Sequence, residues 1–185
     1  MAELLEWMKR VNWNKCVDFA LDEAKKSPCL RMHFGSIIVN SDTDVIGRGF
    51  NKPPYEPCKT CPREELHIPP RTRAEYCHAY HAEQWAILDA LNKSYFVKGA
   101  VLVVAGYNPN NNEKTVINRF SCTLCARTIA AYGLAGIVAP GTDGPKFKTT
   151  KEAYDEAYAI QIELMKNPDL NSEAAFNEYL KTLPK

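Results

Sequence analysis

Hydrophobic and polar positions follow two different periods along the first third of the chain. In residues 14–26, apolar side chains recur at helical spacing on one side, which predicts an amphipathic helix with Asn12 or Asn14 as its cap. Residues 33–40 and 44–50 are rich in β-branched and aromatic side chains, and the polar Ser-Asp-Thr between them marks a turn. These two runs predict a β-hairpin.

Two later runs, residues 101–106 and 134–140, are continuously apolar. Such runs are typical of strands that are covered on both faces of a sheet. Helical patterns extend over residues 81–92 and from Cys122 to Gly133, where a glycine stands in its usual position after a helix. The order of these elements predicts an α/β fold of three layers, α/β/α, with helices on both sides of a central mixed sheet of about five strands.

The region after Pro140 predicts a helical C-terminal extension over residues 141–185. A helix over residues 151–166 carries one aromatic and apolar stripe, formed by Tyr154, Tyr158, Ile162 and Met165. We interpret this stripe as packing surface rather than as a cofactor site. Residues 171–183 predict a short terminal helix. The whole chain, 1–185, is expected to be a single domain with its core at about residues 14–140.

The length and net charge of the chain limit the classes of function that it can have. A chain of 185 residues fits one domain with a full core. Its formal net charge of +1 argues against a nucleic-acid binder, but it leaves room for a local basic cluster that binds a small anion. The longest apolar run, residues 99–106, is too short to span a bilayer, and the N-terminal residues lack the apolar region of a secretory signal. We therefore expect a cytoplasmic protein with no membrane partner.

The cysteines need an explanation other than disulfides, because the cytosol keeps thiols reduced. The chain has seven cysteines. Two pairs, Cys58/Cys61 and Cys122/Cys125, have the C-x-x-C spacing that is typical of metal ligands.

His81 and the pair Cys122/Cys125 offer three ligands for one zinc ion, each near a helix start. Cysteines three positions apart lie on one helix face, and the helix N-terminus favours the thiolate form. Three protein ligands leave the fourth tetrahedral position to water, which is typical of catalytic zinc. Glu83, two residues after His81, is poorly placed to share the ion but well placed to move a proton from that water to a leaving group.

The order His-Ala-Glu, apolar strand, Cys-Thr-Leu-Cys resembles the signature of zinc-dependent nucleobase deaminases. Over about residues 14–140 the chain resembles the zinc-dependent cytidine and deoxycytidylate deaminase superfamily, and within it the dCMP deaminases. The narrower resemblance rests on four stretches: SPCLRMHFGSIIV (27–39), GRGFNKPP (47–54), EYCHAYHAEQ (75–84) and CARTIAAYGLAGIV (125–138). It implies a cytidine-deaminase-like version of the predicted fold. It also implies hydrolysis of dCMP to dUMP and ammonia, which feeds dTMP synthesis.

The resemblance also implies roles for single residues in the chemistry. Zinc would be bound by His81, Cys122 and Cys125, and Glu83 would be the general acid and base. The implied reaction is attack of the activated water on C4 of cytosine, followed by loss of ammonia. By the same resemblance, the protein would be a homo-oligomer, commonly a hexamer, that responds to dCTP and dTTP as effectors.

The resemblance also implies which residues contact the substrate. Asn51 would hydrogen-bond the nucleoside, and Arg31, or else Lys52 or Arg48, would contact the phosphate. Two further positions beside the zinc ligands, Trp85 and Ser121, are candidate substrate contacts that depart from the family pattern, which has asparagine and proline there. An indole cannot reproduce the paired hydrogen bonds of an amide, so Trp85 is expected either to pack in the core or to stack against the base.

A second metal would explain the cysteines outside the catalytic pair. Cys58, Cys61 and Cys77 lie in or beside residues 51–76, a stretch with six prolines, and a metal would explain how the loop over residues 51–80 is held. Cys29 would complete an all-cysteine structural zinc site. Some dCMP deaminases carry a non-catalytic zinc near the same segment.

Other assignments of these thiols stay open. His67 or His78 could replace one cysteine, and the alternative to a metal is a set of scattered thiols. Cys16, on the face of the first helix, is interpreted as a small core residue.

Several other functions compete with dCMP deamination. The departure at Trp85 leaves room for another substrate, such as a 5-substituted dCMP or a non-pyrimidine amine. A nucleic-acid editing deaminase is disfavoured by the near-neutral charge. A non-catalytic zinc-bound regulatory protein is disfavoured by Glu83, because a structural site has no use for a proton shuttle.

Overall fold

The structure is a computed structural model that describes residues 6–68, 73–116, 120–166 and Glu178. Its strands are His33–Val39 (β1), Val45–Phe50 (β2), Val101–Tyr107 (β3), Gly136–Gly141 (β4) and Gly144–Thr149 (β5). Its helices are Trp13–Ala24 (α1), Pro62–Glu65 (α2), Ala82–Asn92 (α3), Thr123–Ala131 (α4) and Thr150–Lys166 (α5), with 3₁₀ turns at Glu6–Arg10 and Ala74–Tyr76. The predicted tail helix over residues 171–183 lies outside the described residues, apart from Glu178.

The strands form one mixed sheet in the order β2-β1-β3-β4-β5. Strand β1 pairs antiparallel with both β2 and β3, while β3 and β4 are parallel and β4 and β5 antiparallel. Strands β2 and β3 therefore run in the same direction, and their carboxyl ends meet the start of β1 at one edge of the sheet. The chain segments that lead into α3 and α4 leave from this edge.

Helices cover both faces of the sheet, so the predicted three-layer α/β/α arrangement is confirmed. In β3, Val101 and Val103 pack with α1 on one face, and Leu102 and Val104 pack with α3 and α4 on the other. This two-sided burial explains why the strand sequence is continuously apolar. The interior is therefore two hydrophobic layers that share one sheet.

Two glycines let α3 lie directly on β2. A Cβ atom on Gly47 would lie 2.3 Å from the Ala86 carbonyl oxygen, and one on Gly49 would lie 2.4 Å from the Ala86 nitrogen and 2.5 Å from the Ala82 oxygen. The neighbouring atoms belong to the helix backbone, which has no rotamer to change. The close approach fixes where α3 begins, and with it His81.

The segment between β2 and α3 is more ordered than a plain loop. Backbone hydrogen bonds between Lys52 and Tyr80 run in both directions, from Lys52 N to Tyr80 O (3.2 Å) and from Tyr80 N to Lys52 O (3.0 Å). They close the base of the excursion, which contains α2 and the 3₁₀ turn at Ala74–Tyr76. Residues 69–72 within it lie outside the described part of the chain.

The predicted helical extension is wrong at its start. Strand β5 (Gly144–Thr149) pairs with β4 and completes the sheet before α5 begins at Thr150. Helix α5 itself is confirmed, but it packs through a different face from the predicted stripe, namely through Ala153, Ala157, Ile160 and Leu164. The stripe lies beside this face, and Ile162 and Met165 are 49% and 73% exposed.

Within the described ranges, no helix is both long enough and apolar enough to cross a membrane.

Candidate active site

His81 is the N-cap residue of α3. It follows the segment between β2 and α3 that the Lys52–Tyr80 hydrogen bonds close. Its backbone nitrogen donates to Gln84 Oε1 at 3.0 Å, so a glutamine one turn into the helix satisfies the N-cap amide.

Cys122 holds the same position on α4, and Cys125 follows one turn later. The His81 Nδ1 atom lies 3.3 Å from Cys122 Sγ and 3.3 Å from Cys125 Sγ. In a tetrahedral zinc site with Zn–S of about 2.3 Å and Zn–N of about 2.0 Å, nitrogen and sulfur would be about 3.5 Å apart. In the described part of the chain this is the one group of three or more candidate ligand atoms that all lie within 4.8 Å of one another. Its geometry and its donor chemistry both fit zinc.

The two thiols of this group hold their protons unequally. A hydrogen bond from Cys125 holds the pKa of Cys122 well below its usual value, and the His81 ring acts in the same direction. The same hydrogen bond, together with burial, raises the pKa of Cys125 well above its usual value. Without metal, the pair therefore favours one thiolate beside one thiol. Zinc binding has to displace the remaining proton, because the thiolate is the ligand.

Glu83 lies beside this cluster but outside the ligand group. The residue is buried, with 8% of its surface exposed. Burial raises the pKa of its carboxyl group, and the charge on His81 acts against this shift. A carboxyl with a raised pKa is well matched to accept and return a proton near neutral pH. Glu83 thus has the position and the electrostatics of a proton shuttle.

A cavity of about 880 Å³ opens above His81, Glu83 and Cys122 at the edge of the sheet. It lies at the carboxyl ends of β2 and β3, the usual place for a site in an open α/β sheet. Its further walls come from the chain before and within β1, from α2 and the residues after it, and from the loops that follow β3. The volume is in the range of small-molecule sites in proteins.

The loop before α4 is held by the C-terminal part of the fold. The Phe120 backbone nitrogen donates to Glu156 Oε2 of α5 at 3.2 Å, and Lys148 of β5 forms an ion pair with the same carboxylate. The Lys148 ammonium also lies 4.9 Å from the centre of the Phe120 ring. Phe120 and Ser121 line the cavity, so β5 and α5 support one of its walls.

Asn51 lines the cavity, but its side chain is largely used within the fold. Its Oδ1 accepts from Ser27 Oγ (2.8 Å) and from Phe34 N (2.8 Å), and its Nδ2 donates to Met32 O (2.9 Å). Three of the four hydrogen-bonding positions of the amide are therefore occupied. The residue fixes the start of β1 against the end of β2, and at most one N–H is left for a substrate.

Arg31 lines the same cavity, whereas its sequence alternatives Lys52 and Arg48 are not among the described residues that do so. The Nη2 atom of Arg31 donates to Ile68 O at 2.8 Å. Sequence reasoning missed a second cavity arginine, Arg63 on α2. Burial lowers the pKa of Arg63, and the charge on Arg31 lowers it further. The repeated spacing Cys-x-Arg, in Cys29-Leu-Arg31 and Cys61-Pro-Arg63, is the sequence signal that could have found it.

Trp85 is not among the described residues that line the cavity. Its Nε1 donates to Lys52 O at 3.0 Å, its ring meets Tyr80 edge to face at 5.8 Å, and the Lys52 ammonium lies 4.6 Å from the ring centre. Of the two predicted roles, packing is the one that this geometry supports. Ser121 is buried against the cavity, and its hydroxyl donates to Cys122 O at 3.1 Å.

Cys29, Cys58, Cys61 and Cys77, the thiol cluster, line a small apolar cavity of about 20 Å³ together with His78. The four thiols therefore lie around one cavity and are not scattered over the fold. However, no three of their sulfur atoms lie within 4.8 Å of one another in the described residues. Cys77 also hydrogen-bonds the His81 ring, so the thiol cluster borders the group of His81, Cys122 and Cys125. All seven cysteines of the chain are free thiols, and Cys16 is a buried core residue as predicted.

Comparisons with known proteins agree with this site. Residues 11–140 match the family described as the zinc-binding region of cytidine and deoxycytidylate deaminases. Two solved structures of the dCMP deaminase from cyanophage S-TIM5 resemble this chain at 19% sequence identity. The apo form has a TM-score of 0.51 over 83% of this chain and 94% of that one. The complex with dCMP and dUMP has a TM-score of 0.50 over 84% and 95%. At this identity the likeness shows a shared fold. No curated protein matches the sequence.

Proposed function

This chain belongs to the cytidine and deoxycytidylate deaminase family, and from that premise we propose that it hydrolyses dCMP to dUMP and ammonia. The observation that carries the proposal is the buried carboxyl of Glu83 beside the ligand group of His81, Cys122 and Cys125, at the floor of a cavity of about 880 Å³. The product would feed dTMP synthesis, as the resemblance to dCMP deaminases implies.

The chain's own residues account for the binding and the proton transfers of the reaction. His81, Cys122 and Cys125 would hold zinc, which when bound lowers the pKa of a water molecule to about 7. Glu83 takes a proton from the attacking water and returns it to the departing amino group. A C–O bond forms at C4 of the cytosine ring and the C4–N4 bond breaks. The atoms balance as water and dCMP giving dUMP and ammonia.

Ammonia release across a panel of substrates tests the proposal. Zinc-loaded protein is incubated with the bases, nucleosides and nucleoside monophosphates of cytosine, adenine and guanine, and the zinc content is measured on the same samples. We expect dCMP to have the highest kcat/KM. Zinc-loaded protein that leaves every cytosine compound unchanged would refute the proposal, and a clear preference for a purine compound would move the substrate outside the pyrimidines.

We also propose that the thiol cluster binds a second, structural zinc. Four thiols around one cavity support this, since a closed all-cysteine set is typical of structural zinc. Because their sulfur atoms do not lie within ligand distances of one another, zinc binding would have to contract the site. We expect about two zinc ions per chain by elemental measurement, and about one in Cys58→Ser. One zinc in both proteins would argue against the second site.

The remaining features of the proposal concern assembly, regulation and location. We propose a homo-oligomer, a hexamer by resemblance to the family, with dCTP and dTTP as effectors, and the exposed Ile162 and Met165 on α5 offer an apolar contact surface. Seven free thiols support a reducing, cytoplasmic location. Light scattering of the zinc-loaded protein tests the oligomeric state. Measurement of dCMP kinetics with and without each triphosphate tests the effectors. A monomer with unchanged kinetics would contradict both.

A further inference from the structure

Phe120 leads the chain into the start of α4, where the cysteines of the ligand group lie. It precedes Cys122 by two residues. Its ring is buried in the hydrophobic layer that α3 and α4 form on the sheet, and it also lines the large cavity. The position of Phe120 therefore affects both the cavity wall and the first cysteine of the ligand group.

Two side chains from the C-terminal part of the fold hold Phe120. Glu156 of α5 accepts the hydrogen bond from Phe120 N through Oε2 (3.2 Å) and forms an ion pair with Lys148 of β5 through Oε1. The Lys148 ammonium lies 4.9 Å from the centre of the Phe120 ring. One carboxylate thus contacts the backbone of Phe120 directly and its ring through Lys148.

The ion pair of Lys148 and Glu156 differs from an ordinary surface pair. The two side chains are 32% and 19% exposed, whereas those of Lys151 and Asp155, on the same helix as Glu156, are 81% and 58% exposed. Partial burial of a carboxylate has a desolvation cost that the ion pair offsets, so such a pair is weak evidence for stability. It does supply a fixed geometry, because a carboxylate in this place has to keep both of its partners.

The two cysteines of the ligand group are held in different ways. Cys125 lies within α4 and is fully buried, so the packing of the helix fixes its sulfur atom. Cys122 is the N-cap residue, with an extended backbone, and the chain reaches it from Phe120, outside the helix. A displacement of Phe120 would therefore move the Cys122 sulfur relative to the His81 Nδ1 atom, which lies 3.3 Å away.

We propose that Glu156 is a positioning residue for the zinc site: by holding Phe120, it sets where Cys122 meets His81. The inference goes beyond the proposed function, because it concerns the metal site whichever substrate is used. Loss of the acceptor at Glu156 should weaken metal binding, as the loss of contacts outside the ligand shell does. Strand β5 and helix α5 then support the metal site as well as the sheet edge and the core.

A competitive zinc titration tests this role. The wild type is compared with Glu156→Ala, which removes the acceptor, and with Glu156→Gln, whose amide oxygen can still accept from Phe120 N. The zinc site that is lost in Cys125→Ala is the one followed. We expect its affinity to fall roughly 10-fold in Glu156→Ala and to be close to wild type in Glu156→Gln. Wild-type affinity in Glu156→Ala, or equal weakening in both variants, would overturn the proposal.

Two controls separate positioning from a general loss of stability. Asp155→Ala removes a carboxylate and an ion pair from the same helix, but the partner of Asp155 is Lys151. Ile160→Val weakens the packing of the buried face of α5. Both controls should bind zinc like the wild type at a temperature where circular dichroism shows every protein to be folded. Weakening in Ile160→Val as large as in Glu156→Ala would mean that α5 acts only through stability, and the proposal would fail.

Cobalt substitution reports on the geometry of the ligands without any substrate. The visible absorption of bound Co²⁺ depends on the type and arrangement of its ligands. We expect the absorption bands to change in Glu156→Ala and to be unchanged in Glu156→Gln and the two controls. If no cytosine compound is deaminated but the bands change in this way, the proposed function fails and the positioning role stands. If the wild type deaminates dCMP and Glu156→Ala has the wild-type spectrum, the positioning role fails and the proposed function stands.

Discussion

Glu83 is the residue to which the proposed function assigns the proton transfers. Replacement by glutamine keeps its shape but removes the group that carries the proton. We expect Glu83→Gln to lower kcat by roughly 10²- to 10⁴-fold, because that is the usual contribution of a positioned acid or base. Steady-state kinetics together with zinc content check this. The zinc content should not change, since Glu83 lies outside the ligand group.

The matched control for this variant is Glu56→Gln, because Glu56 is exposed and is not among the described residues that line the cavity. It should retain wild-type kcat. Survival of activity in Glu83→Gln would show that another group moves the proton. Loss of zinc together with activity would show that the carboxyl supports the metal.

The same substitution should stabilise the metal-free protein at neutral pH. Burial raises the pKa of Glu83 in the folded state, so the carboxyl favours folding only while it is protonated. Its contribution to stability is present below the unfolded-state pKa and is lost as the pH rises through the folded-state pKa. Urea unfolding of chelator-treated protein should therefore show Glu83→Gln as the more stable protein at pH 7 to 8. The advantage should shrink as the pH falls through the raised folded-state pKa, and it should be lost below the pKa of a free glutamate, about 4.3. Parallel pH profiles for the two proteins would contradict this.

A variant at Trp85 tests whether this departure from the family pattern changes substrate preference or only the packing of the fold. Trp85→Phe keeps an aromatic ring and removes the Nε1 donor to Lys52 O, which still accepts from Tyr80 N. We expect a loss of roughly 0.5–1.5 kcal/mol in the free energy of unfolding, the usual net value of one hydrogen bond. The kcat/KM for dCMP should stay within a few-fold of wild type, because Trp85 is not among the described residues of the cavity. A changed ranking of substrates would instead make the indole part of the site.

The sequence could mark His81 with Glu83, and Cys122 with Cys125, as candidate pairs because the spacing within each pair is local, whereas the approach of His81 to the two cysteines depends on the fold. Spacings of two and three residues at a helix start already determine which side chains share a face. Trp85 and Asn51 could not be placed in the same way. Their partners, Lys52 for the one and Ser27, Met32 and Phe34 for the other, come together only when the excursion closes and β1 meets β2.

At the scale of elements, the contact between α3 and β2 fixes the start of the helix that carries His81. Gly49→Ala would place a methyl group 2.4 Å from the Ala86 nitrogen, so the helix would have to shift. We expect a loss of roughly 1–3 kcal/mol or more in stability, the usual cost of overpacking. Zinc affinity should also weaken, because the ligand at the helix start shifts relative to α4. Chemical unfolding and a competitive zinc titration measure the two effects.

Gly141→Ala is the control for this prediction. The nearest atom to its new methyl group would be Lys146 Cγ at 2.6 Å, in a flexible side chain, and the nearest backbone atom would be the Gly144 oxygen at 3.0 Å, both in β5 and neither in α3 or α4. The Gly141→Ala variant should have a zinc affinity close to that of the wild type. Normal zinc affinity in Gly49→Ala would contradict the link between this packing and the metal site.

The elements differ in how clearly the sequence marks them. Buried strands such as β3 have uninterrupted apolar runs, so they were predicted from the sequence. Strand β5 was missed because an edge strand with Pro145, Lys146 and Lys148 lacks such a pattern, and proline and lysine are what protects a sheet edge. Helix α5 was predicted, but its buried face was not, since small alanines face the core while its tyrosines lie beside it.

At the scale of the whole molecule, the site is formed where the ends of several strands and helices come together. The start of β1, the end of β2 and the N-termini of α3 and α4 meet at one edge of the sheet. The convergence follows from the sheet topology of the structure, because β2 and β3 both run antiparallel to β1. The sequence does not predict the second wall, formed by Arg31, Arg63 and the thiol cluster, because that wall depends on a long segment without a repeating pattern.

Zinc should therefore hold together parts of the fold that are distant in sequence. An ion shared by His81 of α3 and the cysteines of α4 joins two helix starts, so it binds the folded chain much better than the unfolded one. At a free zinc concentration about 1,000 times the dissociation constant, the gain would be about 4 kcal/mol. We expect a chelator to lower the unfolding temperature by several degrees, and added zinc to restore it. In Cys125→Ala the zinc-dependent shift should be smaller, whereas Cys16→Ala, which changes a buried thiol outside both thiol groups, should keep the full shift. A full shift in Cys125→Ala would mean that the stabilising ion does not join α3 to α4.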